Sequence, residues 1–176
     1  FLGGLGADYM NGGSGQGDIA DYSSSTVSLN VGTNNAAVNT GGDAAGDTLI
    51  GIEVIKGGSN NDTIVGNTVK NTLYGNDGDD TLNASSNNDT IFGGAGDDTL
   101  FGSRGADVIN GGDDIDIASY SNSDGRVVVD LDAGTATGSG HGTGDTLIDI
   151  ENVSGSRFND FIYGDEKANE LSGFNG

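Results

Sequence analysis

The chain has 176 residues, with 34 Gly, one Met and neither Pro nor Cys, and its 27 acids against 6 bases leave a net charge of −21. Without Cys there is no disulfide framework and no thiolate metal site, and so negative a surface disfavours nucleic acid and anionic membrane as partners. No apolar run approaches the ~18 residues of a membrane span, and the first residues do not read as a signal peptide. A chain this acidic should self-repel and stay disordered unless something neutralises it. The acids are mostly Asp, at a fixed phase beside Gly and Asn, and this calls for a hard cation that takes oxygen ligands.

In chain order, a first block of nonapeptides at 3–20 carries Asp8 and Asp18. A linking segment, 21–56, is entered through DIADYS. In it TVSLNV (26–31) alternates as a strand does, TNNAAVNTGG (33–42) reads as a loop, and GDAAGDTLI (42–50) brings Asp47. Seven nonapeptides then run without a gap over 57–119. Their sixth position holds Asp62, Asn71, Asp80, Asp89, Asp98, Asp107 and Asp116. Their eighth holds Ile64, Leu73, Leu82, Ile91, Leu100, Ile109 and Ala118. A second linking segment, 120–154, is entered through DIASYS. RVVVDLD (126–132) reads as a strand, AGTATGSG (133–140) as a loop, and GHGTGDTLI (140–148) brings Asp145. A last block, 155–176, carries Asp160. No helix signal survives, because Gly and β-branched residues interrupt every window.

A longer repeat contains the nonapeptides. GDTLIGIEVIKGGSNNDTIVGN (46–67) aligns with GDTLIDIENVSGSRFNDFIYGD (144–165) at an offset of 98 residues. The chain therefore holds most of two copies of one unit. The linking segments are expected as enlarged coils or a bulging loop, so that residues 1–176 form one continuous body. The sequence begins inside one nonapeptide and ends inside another, and it is read as a fragment attached to the remainder of a larger host chain.

GGAGDDTLF (93–101), GNDGDDTLN (75–83) and GGLGADYMN (3–11) resemble the glycine-rich nonapeptide GGxGxDxUx of the repeats-in-toxin (RTX) family, and the resemblance covers nearly the whole chain. The linking pattern GDTLIxIENVSGSxFND is also similar to segments of secreted bacterial calcium-binding proteins of that family. The resemblance implies an all-β fold, a right-handed parallel β-roll (a β-helix solenoid) with several Ca2+ ions between stacked glycine-rich turns. It also implies export through a type I secretion channel and folding outside the cell or at its surface when calcium arrives.

The residues support a matching physical picture. Gly at positions one, two and four permits positive φ in a tight turn, with Asn60 and Asn87 as the next best tolerated substitutes at position four. Such turns aim carbonyls inward, and with carboxylates they supply the six to eight oxygens that calcium takes at roughly 2.3–2.6 Å. Positions seven to nine form a short strand with its aliphatic side chain facing in. Two nonapeptides make one coil, so the turns starting at 57, 75, 93 and 111 stack on one side and those at 66, 84 and 102 on the other. The candidate metal ligands are Asp8, Asp18, Asp47, Asp62, Asp80, Asp89, Asp98, Asp107, Asp116, Asp145 and Asp160. The turns of the best-matched repeats add Gly75, Asp77, Gly93, Gly94, Ala95 and Gly96. GNTVKNTLY (66–74) and GDEKANELS (164–172) depart from the pattern, with Val69 or Lys167 at position four and Asn71 or Asn169 at position six. No full-strength site is expected there, and an ammonium in part replaces the ion.

His141, the one His, lies in a Gly/Ser/Thr loop and reads as a surface residue. No His-dependent triad is available, the acidic column is accounted for by metal, and the chain is read as non-enzymatic. At position nine, Tyr74 and Phe92 should lie outward on adjacent rungs, with Phe101 on the opposite sheet. The pair reads either as ordinary cross-rung stacking or as a platform for a polysaccharide or surface partner. Two roles compete: a structural or adhesive spacer in a surface protein, which the doubled unit favours, and the C-terminal accessory module of a secreted protease, lipase, polysaccharide-modifying enzyme or toxin.

Overall fold

A computed structural model describes residues 1–33 and 39–174. The middle of the expected loop at 33–42 and the end of the last nonapeptide lie outside the described residues.

Each nonapeptide of the central block contributes one strand that begins at position seven, and the strand pairs with the one 18 residues away. One sheet stacks Asn30–Gly32, Thr63–Val65, Thr81–Asn83, Thr99–Phe101, Ile117–Ser119, Asn152–Ser154 and Leu171–Ser172, all in parallel. The other stacks Ile19–Asp21, Val54–Lys56, Thr72–Asp77, Thr90–Ala95, Val108–Asp113 and Asp145–Ile148, then Thr135–Gly138, Val127–Asp130 and Phe161–Tyr163. A separate parallel pair joins Tyr9–Asn11 to Thr48–Ile50. The two-turn coil follows from the length of the repeat. Three extended residues and a six-residue turn reverse the chain once, so two repeats return it to the same side.

The position-eight side chains form the core. Ile64, Leu82, Leu100 and Ala118 register against one another in the first sheet, and Leu73, Ile91 and Ile109 in the second; all seven are fully buried. Burying one such aliphatic stabilises by about 1.5–3 kcal/mol. Ordering the backbone of nine residues costs more than that, so this core needs help from the turns. Thr63, Thr81 and Thr99 form an outward row on one sheet, and Thr72 pairs with Thr90 on the other. Tyr74 and Phe92 stack face to face, 4.9 Å apart and 9° from parallel, while Phe101 lies in the opposite sheet.

The second linking segment is an enlarged coil. Ile109 registers with Leu147 at an offset of 38 residues, against 18 within the central block. The excess forms an antiparallel hairpin of Val127–Asp130 and Thr135–Gly138 within the same sheet. AGTATGSG is thus not simply a loop. Gly134 at φ +64° turns the chain, and Ala136, fully buried, pairs with Val129 across the hairpin. His141 is also not a surface residue, at 9 % exposure. The turn at Asn122 and Ser123 folds against it: its amide donates to Ser123 Oγ (3.1 Å), and its Nδ1 lies 3.1 Å from Asn122 Oδ1. Among the described residues the one helical element is a 3-10 turn at Gly42–Ala44, and no helix is long and apolar enough to cross a membrane.

Leu82 is fully buried and its neighbour Thr81 is exposed. Leu82→Ala is therefore expected to lower stability in urea unfolding by about 2–5 kcal/mol, and Thr81→Ala by about 0.5 kcal/mol or less. Equal losses would contradict the inward placement of position eight.

Candidate metal centre

The turns owe their shape to two backbone positions. Position two has positive φ at Asn76 (83°), Ser85 (79°), Gly94 (129°), Ser103 (71°) and Gly112 (116°). Position four has it at Gly78 (113°), Asn87 (94°), Gly96 (123°), Gly105 (157°) and Asp114 (77°). Position one differs from expectation, because its glycines have no positive φ. They are needed for close approach. A β-carbon on Gly75 or Gly93 would collide with Oδ2 of Asp80 or Asp98, and would stand 2.5 Å from the carbonyl oxygen of Gly93 or Gly111 in the next coil.

Position six ties coil to coil through one carboxylate oxygen. On one side the amide of Asp62 donates to Asp80 Oδ1 (2.6 Å), that of Asp80 to Asp98 (2.7 Å) and that of Asp98 to Asp116 (2.9 Å). On the other, Asn71 donates to Asp89 (2.7 Å), Asp89 to Asp107 (2.8 Å) and Asp107 to Asp145 (2.9 Å). The Asp8 amide donates to Asp47 Oδ1 at 2.8 Å. Sequence reasoning missed two members of this ladder. Glu53 Oε2 accepts the Asp18 amide and Glu151 Oε2 the Asp116 amide, each at 3.2 Å. The signal was present, since both stand in GDTLIxIE, 98 residues apart.

The second oxygen divides the candidate aspartates into groups. Oδ2 of Asp8, Asp80, Asp89, Asp98, Asp107 and Asp116 is buried and accepts no hydrogen bond among the described residues. In four other turns the position-two amide closes onto its own position-six side chain. Gly58 donates to Asp62 Oδ2 (2.6 Å), Ser156 to Asp160 Oδ2 (2.5 Å), Asn67 to Asn71 Oδ1 (2.7 Å) and Asp165 to Asn169 Oδ1 (2.9 Å). Position four in these turns is Asn60, Phe158, Val69 or Lys167, none with positive φ. Without that left-handed residue the turn contracts onto its own oxygen. At Asp47 and Asp145, Oδ2 accepts a bond from a buried tyrosine, Tyr22 (2.9 Å) and Tyr120 (3.1 Å). Asp18 is half-buried, and Asp77 is exposed on its turn's outer edge. The structure therefore does not present the eleven candidate aspartates as one uniform column. Near the departing turns, Lys167 Nζ pairs with Glu151 Oε1 at 3.1 Å, and the charge of Lys70 favours the ionised form of Asp89.

The unpartnered oxygens carry an electrostatic cost. Burial raises the carboxyls of Asp80, Asp89, Asp107 and Asp116 to about 7 and that of Asp98 to about 6; the amide that each accepts offsets only part of this. A buried anion without a partner is unfavourable by several kcal/mol. The turns fit a hard cation. At Asp80 and Asp98 a free carboxylate oxygen lies beside the carbonyl of Gly93 or Gly111, in a cradle that a β-carbon on Gly75 or Gly93 would fill. Among the described residues no three His, Cys, Asp or Glu side chains gather as a metal site. A cation in these turns would thus draw much of its shell from the main chain, as calcium readily does.

The sign of the pH dependence follows. Folded-state values above the usual carboxylate value mean that the cation-free fold binds more protons than the unfolded chain. Its penalty is absent below about pH 4 and grows as pH rises to about 7. With chelator present, the β circular-dichroism signal is expected to be stronger near about pH 5.5 than near about pH 8. A signal larger at the higher pH would show that these carboxylates are not buried as charged groups.

The family model of the RTX calcium-binding nonapeptide repeat (4 copies) matches residues 1–19, 47–82, 56–91, 83–118 and 149–176. Comparison with the curated proteins finds no match. The matched segments cover well over half of the chain and include every turn with an unpartnered Oδ2. The chain belongs to the RTX calcium-binding nonapeptide-repeat family, whose members bind Ca2+ and whose repeats are characteristic of type I secreted proteins.

Proposed function

We propose that residues 1–176 act as one continuous β-roll that folds outside the cell on binding several Ca2+ ions and serves as a structural or adhesive spacer within a larger secreted protein. The observation that carries the calcium part is the set of six buried, unpartnered carboxylate oxygens, five of them in consecutively stacked turns of the central block. Calcium supplies the positive charge that these oxygens lack. Oδ1 of Asp80, Asp89, Asp98, Asp107 and Asp116 holds the neighbouring coil, so the bond that stacks the coils also positions each Oδ2. Carbonyls of Gly75, Gly93 and their turn neighbours complete the shell. The closed turns at Asp62, Asn71, Asp160 and Asn169 satisfy their own oxygens and mark where the ion ladder stops.

The spacer role is supported by the doubled unit. Asp18, Tyr22, Asp47, Glu53 and Asp62 recur 98 residues on as Asp116, Tyr120, Asp145, Glu151 and Asp160, and Asp107, one residue out of that register, takes the place of Asp8, with the same hydrogen bonds. A unit that repeats its bonding as well as its sequence suits extension by repetition. The position-six aspartates are engaged in ladder bonds, turn closures or the ion cradle, so none of them is assigned to proton transfer, and the module is read as non-catalytic.

Calorimetric titration of the chelated protein is expected to show several calcium ions per chain, with the β circular-dichroism signal rising alongside. One ion or none, or a spectrum indifferent to chelator, would reject the calcium-dependent fold. Asp98→Ala is expected to shift the calcium midpoint of folding upward by on the order of tenfold, about 1.4 kcal/mol. Asn71→Ala, in a closed turn, should shift it less, and the reverse order would show the turns to be wrongly divided.

A further inference from the structure

Two turns bear the position-six aspartate but follow neither the open nor the closed pattern. They lie at 42–47 and 140–145, one in each linking coil. Both have a positive-φ glycine at position five, Gly46 (φ +90°) and Gly144 (φ +89°), directly before the aspartate, and a second one earlier in the turn, Gly42 (φ +44°) or Gly142 (φ +81°). Oδ1 of Asp47 and Asp145 does the usual work and accepts the amide of Asp8 or Asp107. The Oδ2 that stands free in the open turns is here bonded to the hydroxyl of Tyr22 or Tyr120. Both tyrosines are 1 % exposed and rank among the largest fully buried side chains. Each enters from 25 residues upstream, at the DIADYS or DIASYS that opens the linking segment. The second turn makes room for its ring. A β-carbon on Gly142, at position three, would stand 2.9 Å from Tyr120 Cε1.

We propose that the phenols of Tyr22 and Tyr120 take the place of a cation at Asp47 and Asp145, so that each linking coil is a metal-free seam between calcium-bearing blocks. The inference rests on the calcium reading of the open turns. A phenol O–H bonded to a carboxylate supplies one charge-assisted hydrogen bond and brings no charge of its own. The ring occupies the turn with carbon, and the hydroxyl satisfies the oxygen that would otherwise draw an ion. The arrangement occurs twice, 98 residues apart, with the same donor, the same acceptor oxygen and the same ladder bond. It also suits the geometry of the insert. The Asp145–Ile148 strand has the hairpin strand Thr135–Gly138 on the side away from Val108–Asp113, so no further glycine-rich turn is stacked there by the sheet. Tyrosine closes the ladder where a partner turn is missing. In sequence terms, a Tyr with Gly-Asp 24 and 25 residues later marks a seam, whereas the central open turns share a positive-φ residue at position four.

The test counts calcium ions per folded chain by equilibrium dialysis with elemental analysis, on the whole protein and three variants. Asp107→Asn is expected to lose about one ion. Asp145→Asn, in which the amide oxygen and nitrogen can keep the ladder and phenol contacts, should retain the wild-type count. Tyr120→Phe leaves the carboxylate in place, so it serves if the first variant does not fold. It should keep the ion count and lower the thermal midpoint of the loaded protein by several degrees. Loss of an ion in Asp145→Asn or in Tyr120→Phe would overturn the seam. A wild-type protein without calcium, or an Asp107→Asn variant with an undiminished count, would instead defeat the calcium reading of the open turns.

Discussion

The structure depends on the aspartate that accepts a main-chain amide from the neighbouring coil. Sheets elsewhere are held by backbone ladders and a broad apolar face. Here each strand of the central block has about one inward aliphatic, and the coil-to-coil bond at position six ties the end of each turn, just before its strand, to the neighbouring coil. Asp is short enough to place Oδ1 on the next coil while Oδ2 faces its own turn. The same choice creates the difficulty. Every added coil brings another carboxylate into a stack whose rungs are only ~4.8 Å apart, and burial resists its charge. A cation resolves this repulsion, and because the paired turns exist only in the stacked chain, binding and folding are coupled.

The linking coils interrupt that logic twice, 98 residues apart. Their Asp47 and Asp145 keep the amide bond of the ladder while their second oxygens are taken by buried phenols. Glu53 and Glu151 then restart the column, with a longer side chain reaching an amide from a turn of different shape. At Glu151 the other oxygen meets Lys167, whose ammonium stands beside a turn that has closed onto Asn169. Three devices thus satisfy the same kind of oxygen: an amide of the same turn, a tyrosine hydroxyl and a lysine. Each is local, so the number and position of ion turns can vary along a chain without altering the coil.

The outer surface has a separate character. The stacked Tyr74 and Phe92 extend a column whose next members are Lys56 and Asn110, and Thr72 and Thr90 run beside it. Ring separation is close to the rung spacing, so parallel strand register alone accounts for the stacking. The cross-rung pair adds to sheet stability whether or not any partner meets it.

The nine-residue period by itself determined the two-sided coil, the inward file from Ile64 to Ala118 and the position-six column, because period and phase decide which way a side chain points in a solenoid. It also marked Val69, Asn71, Lys167 and Asn169 as departures, since a β-branched residue resists positive φ and Asn carries no charge. Tertiary structure decided what each second oxygen does. Asp62 and Asp98 occupy the same repeat position, yet one oxygen is closed by the Gly58 amide and the other is left without a partner. The difference lies in the backbone of residues 58–60 against 94–96, which the aspartate itself does not encode. The burial of His141, the strand within AGTATGSG and the pairing of Tyr120 with Asp145 likewise needed the folded chain. Each brings together residues separated by an insertion, and a repeat register has no means of measuring across one.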